Sequence, residues 1–149
     1  MNDQNIEVLI VEDNPDDLDM TLRALSKAHL ANRIKVARDG AEALDFIFGT
    51  SPHNGCNANG VPKVILLDLK LPKIDGLEVL RRVKADARTK AIPVVVLTSS
   101  KEQPDVAECY NLGVNSYIVK PVNFERFAST VAELGMYWLL LNHPPQPPA

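Results

Sequence analysis

The fold of this chain is decided by the stretch VILLDLKLP, residues 64–72. Its first four residues are apolar, and such a continuous run is typical of a parallel strand that is buried on both faces. The run ends in one carboxylate, Asp68, which a proline-containing loop and Asp75-Gly76 follow. Because open α/β sheets bind their ligands at the carboxyl ends of their strands, Asp68 is the first candidate for chemistry. Asp75 directly precedes an amphipathic run and is predicted to be the N-cap of a helix.

Four further segments have the composition of strands, and each is followed by a segment with helical periodicity. The strand-like segments are residues 8–11, 34–36, 94–97 and 116–119. The other predicted helix starts are Asn14-Pro15, Asp39-Gly40, Glu102 and Asn123. Strand and helix therefore alternate five times, which predicts parallel strands with right-handed crossovers in a three-layer α/β/α sandwich. The order of the strands in the sheet does not follow from this alternation.

Length and composition indicate one globular domain. The chain has 149 residues, of which 46% are hydrophobic and 23% charged, and its net charge is −3. A negative balance argues against non-specific binding to nucleic acid or to an anionic membrane, and no apolar run is long enough to cross a bilayer. Cys56 and Cys109 lack metal-ligand spacing and are interpreted as reduced thiols, so a cytoplasmic location is expected.

Two segments are predicted to lie outside the packed elements. The connection 49–62 is longer than the roughly 2–6 residues usual in α/β units, and we expect a surface loop there. Residues 142–149 contain four of the eleven prolines. We therefore expect a domain over residues 1–141, with an extended last helix, and an unpacked proline-rich tail over 142–149.

Polar and charged side chains follow four of the predicted strands. They are Glu12, Asp13, Asp68, Thr98 and Lys120. In a parallel sheet these carboxyl ends lie at one edge, so the side chains are expected to converge. Three crowded carboxylates repel one another unless a cation lies among them, and a set of hard oxygen ligands suits Mg²⁺.

The remaining members of this set favour phosphoryl transfer. A lysine supplies a mobile positive charge, and the hydroxyl of Thr98 supplies a neutral donor for an anionic oxygen. Together with a metal ion they would stabilise a transferring phosphoryl group. Asp68 is the candidate nucleophile, because a carboxylate can accept phosphoryl to form an acyl phosphate.

These motifs resemble the receiver domains of two-component response regulators, the CheY-like family. The residues that carry the resemblance are Glu12-Asp13, Asp68 with Leu71-Pro72 and Asp75-Gly76, Thr98-Ser99, and Lys120-Pro121. The resemblance covers residues 6 to about 135 and implies a flavodoxin-like fold of strand order 2-1-3-4-5. It also implies that the chain is not an enzyme in the ordinary sense but a signalling protein that assists its own phosphorylation and dephosphorylation.

The resemblance assigns a role to each site residue. Asp68 would accept phosphoryl from the phosphohistidine of a sensor histidine kinase. Mg²⁺ would be bound by Asp13, Asp68 and the backbone carbonyl of Lys70, with Glu12 acting through water. Thr98 and Lys120 would hold the phosphoryl oxygens. Tyr117 would be the switch aromatic, and the Lys120-Pro121 peptide bond would be cis.

A narrower resemblance concerns the partner. The long connection 49–62 and the extended last helix are similar to those of single-domain response regulators that are paired with cyanobacterial phytochromes. A phytochrome-type sensor histidine kinase is therefore the expected partner. Because only a short tail follows the predicted receiver, no output domain that binds DNA is expected.

Two other classes use related chemistry or topology. A phosphatase of the haloacid-dehalogenase type has a second Asp as general acid two residues after its nucleophile, where this chain has Lys70. A flavodoxin-like cofactor-binding module needs a Gly/Ser/Thr-rich phosphate loop after the first strand. This chain has the acidic segment EDNPDD at residues 12–17 instead.

The last helix predicts self-association. Apolar residues recur at alternating spacings of three and four, as in an unbroken a/d seam, at Phe124, Phe127, Val131, Leu134, Trp138 and Leu141. The segment 136–141 is apolar all round, so the chain's own sheet can cover only part of it. We expect a homodimer whose interface contains Phe127, Val131, Leu134, Tyr137, Trp138 and Leu141, together with the neighbouring fourth helix and fifth strand. The alternative is a monomer that keeps this surface for a different partner.

Overall fold

The structure, a computed structural model, describes residues 6–29, 33–49, 62–121 and 123–143. Within these residues five strands and five α-helices alternate, and a short π-helical segment follows the last helix. The elements are β1 (Val8–Val11), α1 (Pro15–Lys27), β2 (Ile34–Ala37), α2 (Gly40–Phe48), β3 (Val64–Leu67), α3 (Gly76–Ala85), β4 (Val94–Thr98), α4 (Gln103–Leu112), β5 (Ser116–Val119), α5 (Phe124–Gly135) and the π-helical segment (Met136–Leu141). Among the described residues, no helix is both long and apolar enough to span a membrane.

The five strands form one parallel sheet in the order β2-β1-β3-β4-β5. This is the order that the family resemblance implied, and the predicted fold class is confirmed. β1 and β3 are adjacent, with Val11 opposite Leu67, so the residues that follow these two strands begin at the same height. β1, β3 and β4 are completely buried, whereas β2 at one edge is only partly buried, as its alternating pattern predicts.

The core consists of two apolar layers, one on each face of the sheet. Successive residues of β1 alternate between them, because Leu9 faces the helices α2, α3 and α4 while Val8 and Ile10 face α1 and α5. Burying one such aliphatic side chain stabilises the fold by roughly 1.5–3 kcal/mol. The sheet edge that carries the polar side chains therefore rests on a rigid, close-packed support.

Side-chain caps hold the helix starts that flank this edge. The Asn14 carboxamide oxygen accepts from the backbone N–H groups of Asp16 and Asp17 at 2.9 and 3.0 Å. Asp75 accepts from the N–H of Glu78 at 3.0 Å. Asp39 and Asn123 cap α2 and α5 in the same way, so these predicted caps are confirmed.

The end of the last helix differs from the predicted seam. From Met136 the helix is π-helical, and the N–H of Asn142 donates to the Tyr137 carbonyl, five residues earlier, at 2.7 Å. A π-helix turns through a smaller angle per residue than an α-helix, so spacings of three and four no longer keep one face. As a result Leu139 is buried at 5% exposure, whereas Leu141 is 68% exposed. The prediction of an unbroken seam to Leu141 is wrong.

The predicted interface divides in the structure. Phe127 and Val131 are fully buried against β-strands and α1, so the core of the chain itself uses them and a second copy cannot reach them. Leu134 and Trp138 are partly buried at the edge of the same cluster. The side chain of Phe124, most of the predicted loop 49–62 and the tail beyond residue 143 lie outside the described part of the chain.

Candidate functional site

Three carboxylates meet where β1 and β3 end. One carboxylate oxygen each from Glu12, Asp13 and Asp68 lies within 4.8 Å of the other two. Glu12 and Asp68 are buried, and Asp13 is exposed. The backbone continues the sheet pattern by one residue at this point, because the N–H of Glu12 donates to Ala37 and that of Asp68 donates to Val11, both at 3.0 Å. The positions of the two buried carboxylates are therefore set by the sheet.

Lys120 places a cation among these carboxylates. Its Nζ donates to Glu12 Oε1 at 2.7 Å and to Asp68 Oδ2 at 3.1 Å, and also to Asp17 Oδ2 at 2.7 Å. The side chain is 8% exposed. Its backbone N–H donates to the Thr98 carbonyl at 2.7 Å, so the end of β4 fixes the point from which the lysine reaches across β3 to β1.

The electrostatics of the cluster favour additional positive charge. The pKa of Glu12 is raised to about 7, chiefly by burial and also by the nearby Asp68 carboxylate, although the hydrogen bond from Lys120 acts in the opposite direction. Burial alone would lower the pKa of Lys120, but its hydrogen bonds to Asp17 and Glu12 outweigh burial and hold that pKa above its ordinary value. The two shifts have different causes, since burial raises the pKa of Glu12, whereas hydrogen bonds to carboxylates raise that of Lys120.

The donor set fits a small divalent cation. Three carboxylate oxygens at this spacing are hard ligands, and the exposure of Asp13 leaves room for water, which Mg²⁺ keeps when it binds to proteins. Asp13 and Lys70 also line an open cleft of about 490 Å³ together with Asp75 and Asp105. The N–H of Lys70 donates to Asp68 Oδ1 at 3.4 Å, so the loop after β3 turns back over this carboxylate.

Gly76 keeps that loop close to Asp68. A Cβ at position 76 would lie 2.3 Å from the Asp68 carbonyl oxygen, which is closer than any side-chain carbon can approach. The Gly76 N–H donates to the Leu69 carbonyl at 2.8 Å. The glycine of the Asp75-Gly76 pair is therefore required by packing and not by an unusual backbone angle.

A second group of polar contacts links β4 to β5. Thr98 is completely buried, and its hydroxyl oxygen accepts from the N–H of Ser100 at 3.4 Å. The Tyr117 hydroxyl donates to the Ser100 carbonyl at 2.7 Å, and Ser100 Oγ donates to Asp105. Burial raises the pKa of Tyr117, so this phenol remains protonated and keeps its role as a donor.

The sequence prediction named Glu12, Asp13, Asp68, Lys70, Thr98 and Lys120, and the structure places these six at this edge or in the loop beside it. The predicted Tyr117 lies within β5, and its hydroxyl reaches the loop after β4 at Ser100. The prediction missed Asp17, Ser100 and Asp105. Asp17 had a signal, because an acid in the first turn of a helix that starts at the carboxyl edge of a sheet lies beside the site.

One expectation about the backbone is wrong. The structure has no cis peptide bond among its described residues, which include both Lys120 and Pro121. The trans form of an X-Pro bond is favoured by about 0.5–1 kcal/mol. With this trans bond the Lys120 ammonium already reaches Glu12 and Asp68.

The comparisons with known proteins agree with this geometry. Residues 8–132 match the family described as "Response regulator receiver domain". The "Probable methanogenesis regulatory protein FilR2" of Methanothrix harundinacea is 43% identical over 140 residues, which cover 94% of this chain and 88% of the relative.

Phytochrome response regulators are also similar. "Response regulator Rcp1" of Synechocystis sp. is 36% identical over 132 residues, covering 89% of this chain and 88% of Rcp1. A crystal structure of the Mn²⁺-bound form of Rcp1 has a TM-score of 0.85 at 34% identity, with 95% and 99% of the two chains covered. The phosphorylated cyanobacterial phytochrome response regulator RcpA has a TM-score of 0.86 at 36% identity, with the same coverage.

The family match decides between the classes that the sequence left open. A flavodoxin-like cofactor module shares the strand order, so topology alone does not exclude it. The match to residues 8–132 spans the carboxylates, Thr98 and Lys120 together. This chain therefore belongs to the receiver domains of two-component response regulators.

Proposed function

We propose that Asp68 accepts a phosphoryl group from the phosphohistidine of a sensor histidine kinase in a Mg²⁺-dependent reaction. One observation carries the proposal. The Asp68 carboxylate lies within 4.8 Å of oxygens of two other acids and 3.1 Å from the Lys120 ammonium. A carboxylate in such surroundings can be both a metal ligand and a nucleophile.

The transfer moves one phosphoryl group between two protein side chains. An oxygen of Asp68 forms a bond to phosphorus while the bond between phosphorus and the histidine nitrogen breaks. The electron pair of the broken bond stays on the imidazole, which then takes a proton from solvent. The product is an acyl phosphate on Asp68.

Each neighbouring residue has a defined task in this proposal. Asp13, Asp68 and the carbonyl of Lys70 would bind Mg²⁺ directly, and Glu12 would bind it through water. The metal ion would neutralise the charge of the carboxylates and the phosphoryl oxygens. The Mn²⁺-bound structure of Rcp1 supports a divalent cation in a protein of this kind. The same residues would assist the later hydrolysis of the acyl phosphate.

Lys120 and Thr98 would bind the oxygens of the phosphoryl group. Lys120 would bind one phosphoryl oxygen through its ammonium, and the Thr98 hydroxyl would donate to another. A movement of Thr98 would release or recruit Tyr117, because both contact Ser100. The phosphoryl group thereby biases a two-state element and changes which partners bind.

A phytochrome-type kinase is the proposed partner, in the cytoplasm. The similarity to Rcp1 and RcpA supports it, whereas the name of FilR2 concerns methanogenesis. Purified phytochrome kinase, labelled on histidine, should transfer its phosphoryl group to this chain faster than a kinase of unrelated input domain. Equal rates from both kinases would contradict the phytochrome assignment.

The acceptor can be tested without a kinase. Incubation with Mg²⁺ and acetyl phosphate should add one phosphoryl group, labile to hydroxylamine, to the wild-type chain. Asp68→Asn should abolish the gain in mass, because an amide is not a nucleophilic carboxylate. Asp16→Asn is the matched control, since Asp16 is an exposed acid near the site and should keep full labelling. Labelling that survives Asp68→Asn would refute the proposal.

The dimer is proposed on the exposed face of the last helix. Met136, Tyr137, Leu140 and Leu141 are apolar and between 49% and 68% exposed. Beside them a groove of about 430 Å³ lies between β5 and α5, lined in part by Leu134, Tyr137 and Trp138. An exposed apolar patch of this kind marks an interaction surface, and a symmetric homodimer would cover it on both copies.

Sedimentation velocity tests the dimer. Leu141→Glu changes an exposed side chain and should convert the dimer into a folded monomer without loss of acetyl phosphate labelling. The control is Ala87→Glu, an exposed position on the turn after α3, which should remain dimeric. A wild-type chain that is monomeric at tens of micromolar, with and without phosphoryl, would exclude the dimer.

A further inference from the structure

Asp17 is a partner of Lys120 that lies outside the predicted metal-binding carboxylates, which are Glu12, Asp13 and Asp68. Its Oδ2 is 2.7 Å from Nζ, the same distance as Glu12 Oε1. The Asp17 side chain is 24% exposed, against 7% for Glu12 and 9% for Asp68. The ammonium group therefore bridges two buried carboxylates, which the proposed metal needs, and one carboxylate at the rim.

The position of Asp17 is built into the start of α1. Its N–H donates to the Asn14 cap at 3.0 Å, and its carbonyl accepts from the Thr21 hydroxyl at 2.9 Å. Thr21 itself is buried. The carboxylate thus projects from the first turn of a helix whose backbone is held on both sides, and it is not a freely moving surface acid.

A lysine and a metal ion compete for Glu12 and Asp68. When both cations are near, like-charge repulsion is reduced if the ammonium moves toward another anion. Asp17 is already in contact with the ammonium, so this movement breaks no bond to it. When the ammonium group is hydrogen-bonded to Asp17 alone, Glu12 and Asp68 are free to bind the metal ion.

We propose that Asp17 is a positioning residue that draws the Lys120 ammonium away from Glu12 and Asp68 and thereby favours divalent cation binding. The inference deepens the proposed function, on which it rests for the identity of the metal ligands. It assigns Asp17 no contact with the metal or with phosphoryl. Its effect passes only through Lys120.

Isothermal titration of the full chain with MgCl₂ tests this coupling. Asp17→Asn should weaken Mg²⁺ binding by roughly threefold to tenfold, the range expected when one hydrogen bond of ordinary net strength is removed. Asp16→Asn removes the same charge one residue away, from an exposed side chain, and should change the affinity by less than about twofold. Equal effects of the two variants would overturn the proposal, because general electrostatics would then suffice.

A double-mutant cycle separates positioning from charge. In a Lys120→Met background, Asp17→Asn should change the Mg²⁺ affinity by less than about twofold, since the residue through which it acts is gone. The same loss in both backgrounds would overturn the proposal. The ¹⁵N signal of the Lys120 ammonium gives a second readout, and it should shift on Asp17→Asn but not on Asp16→Asn. An unshifted signal would equally contradict the contact.

These measurements use no phosphoryl donor. A failure of Asp17 to couple to Lys120 leaves labelling of Asp68 unaffected, and a failure of labelling leaves the coupling measurable. Circular dichroism of each variant checks the fold, and Asp17→Glu, which restores the carboxylate, should recover most of the affinity lost in Asp17→Asn. No recovery by Asp17→Glu in a folded chain would count against the proposal.

Discussion

Two partly buried lysines lie at opposite edges of the sheet and differ in their charge surroundings. Lys120, at the carboxyl edge, donates to the carboxylates of Glu12, Asp17 and Asp68. Lys84, near the end of α3, reaches the amino edge and donates to the carbonyls of Lys90 and Ile92 at 3.0 and 2.8 Å, and to the Asn115 carboxamide at 3.4 Å. Each ammonium thus has three oxygen partners, but only those of Lys120 carry charge.

The protonation of the two lysines follows this difference. Burial lowers the pKa of Lys84 to about 8, because carbonyl dipoles do not compensate fully for the loss of water. Burial acts on Lys120 in the same direction, but the hydrogen bonds and charges of its carboxylates raise its pKa above the ordinary value. Lys84 therefore links loops at the amino edge through hydrogen bonds to neutral groups. Lys120 neutralises carboxylates at the carboxyl edge, and a metal ion or a phosphoryl group can change the net charge there.

The largest expected effect concerns Lys120. In chelator at pH 8, Lys120→Met should lower the free energy of unfolding by about 3–5 kcal/mol, because buried carboxylates lose their counter-ion. Addition of Mg²⁺ should restore much of this stability, since the bound cation then neutralises the buried carboxylates in place of the Lys120 ammonium. Urea unfolding with and without Mg²⁺ measures both effects. A loss that Mg²⁺ does not reduce would show that Lys120 serves packing alone.

The corresponding change at the other edge should be smaller. Lys84→Met leaves the carbonyls of Lys90 and Ile92 without their side-chain donor, whereas the Asn115 carboxamide oxygen still accepts from the Val94 N–H at 2.8 Å. The substitution also removes a costly, partly buried charge. We expect a loss of about 1–2 kcal/mol in the free energy of unfolding, within the range for unsatisfied acceptors. Mg²⁺ should not change this loss, so the same urea experiment serves as its control. A rescue by Mg²⁺ would erase the proposed difference between the edges.

The smallest effect is a pH dependence at Lys84. Its pKa is about 8 in the folded chain and 10.5 as its ordinary value. Between these values the unfolded chain binds more protons than the folded one, so the free energy of unfolding rises with pH. The gain is about 1 kcal/mol once screening of the partly exposed group is allowed for.

Lys84→Met provides the comparison for this measurement. The difference in the free energy of unfolding between wild type and variant should change in favour of the wild type from pH 8 to pH 10.5. A difference that stays constant over this range would mean that the carbonyl contacts keep Lys84 charged. Lys84 and Lys120 would then both be protonated over this pH range.

Most of the site can be predicted from the sequence, because the topology of a parallel sheet brings the residues that follow its strands together. Parallel strands bring residues as distant as Glu12 and Lys120 to one edge, and their types alone indicate phosphoryl chemistry. Strand order came from the family resemblance, since alternation of strand and helix is compatible with several orders. The place of Asp17 beside the site follows from the first turn of α1, but its contact with Lys120 joins side chains 103 residues apart in the chain. The contact of Lys84 with Asn115 joins side chains 31 residues apart, and no local pattern records either pairing.

The last helix shows the opposite case. Its spacing pattern was correct for Phe127 and Val131, which are buried, but it assumed one helical geometry to the end. The change to a π-helix after Gly135 rotates the following residues, so that Leu139, which lies outside the predicted seam, is buried and Leu141 is exposed. Periodicity predicts faces only while the turn angle is constant.

Attachment of the phosphoryl group to Asp68 can be measured directly by chemical trapping. After reaction with acetyl phosphate and Mg²⁺, borohydride reduces an aspartyl phosphate to homoserine, which peptide mass spectrometry locates. We expect homoserine at position 68 alone, dependent on Mg²⁺ and reduced in amount by Asp13→Asn. Homoserine at position 13 or 17, or none in a chain that has gained phosphoryl, would contradict attachment to Asp68.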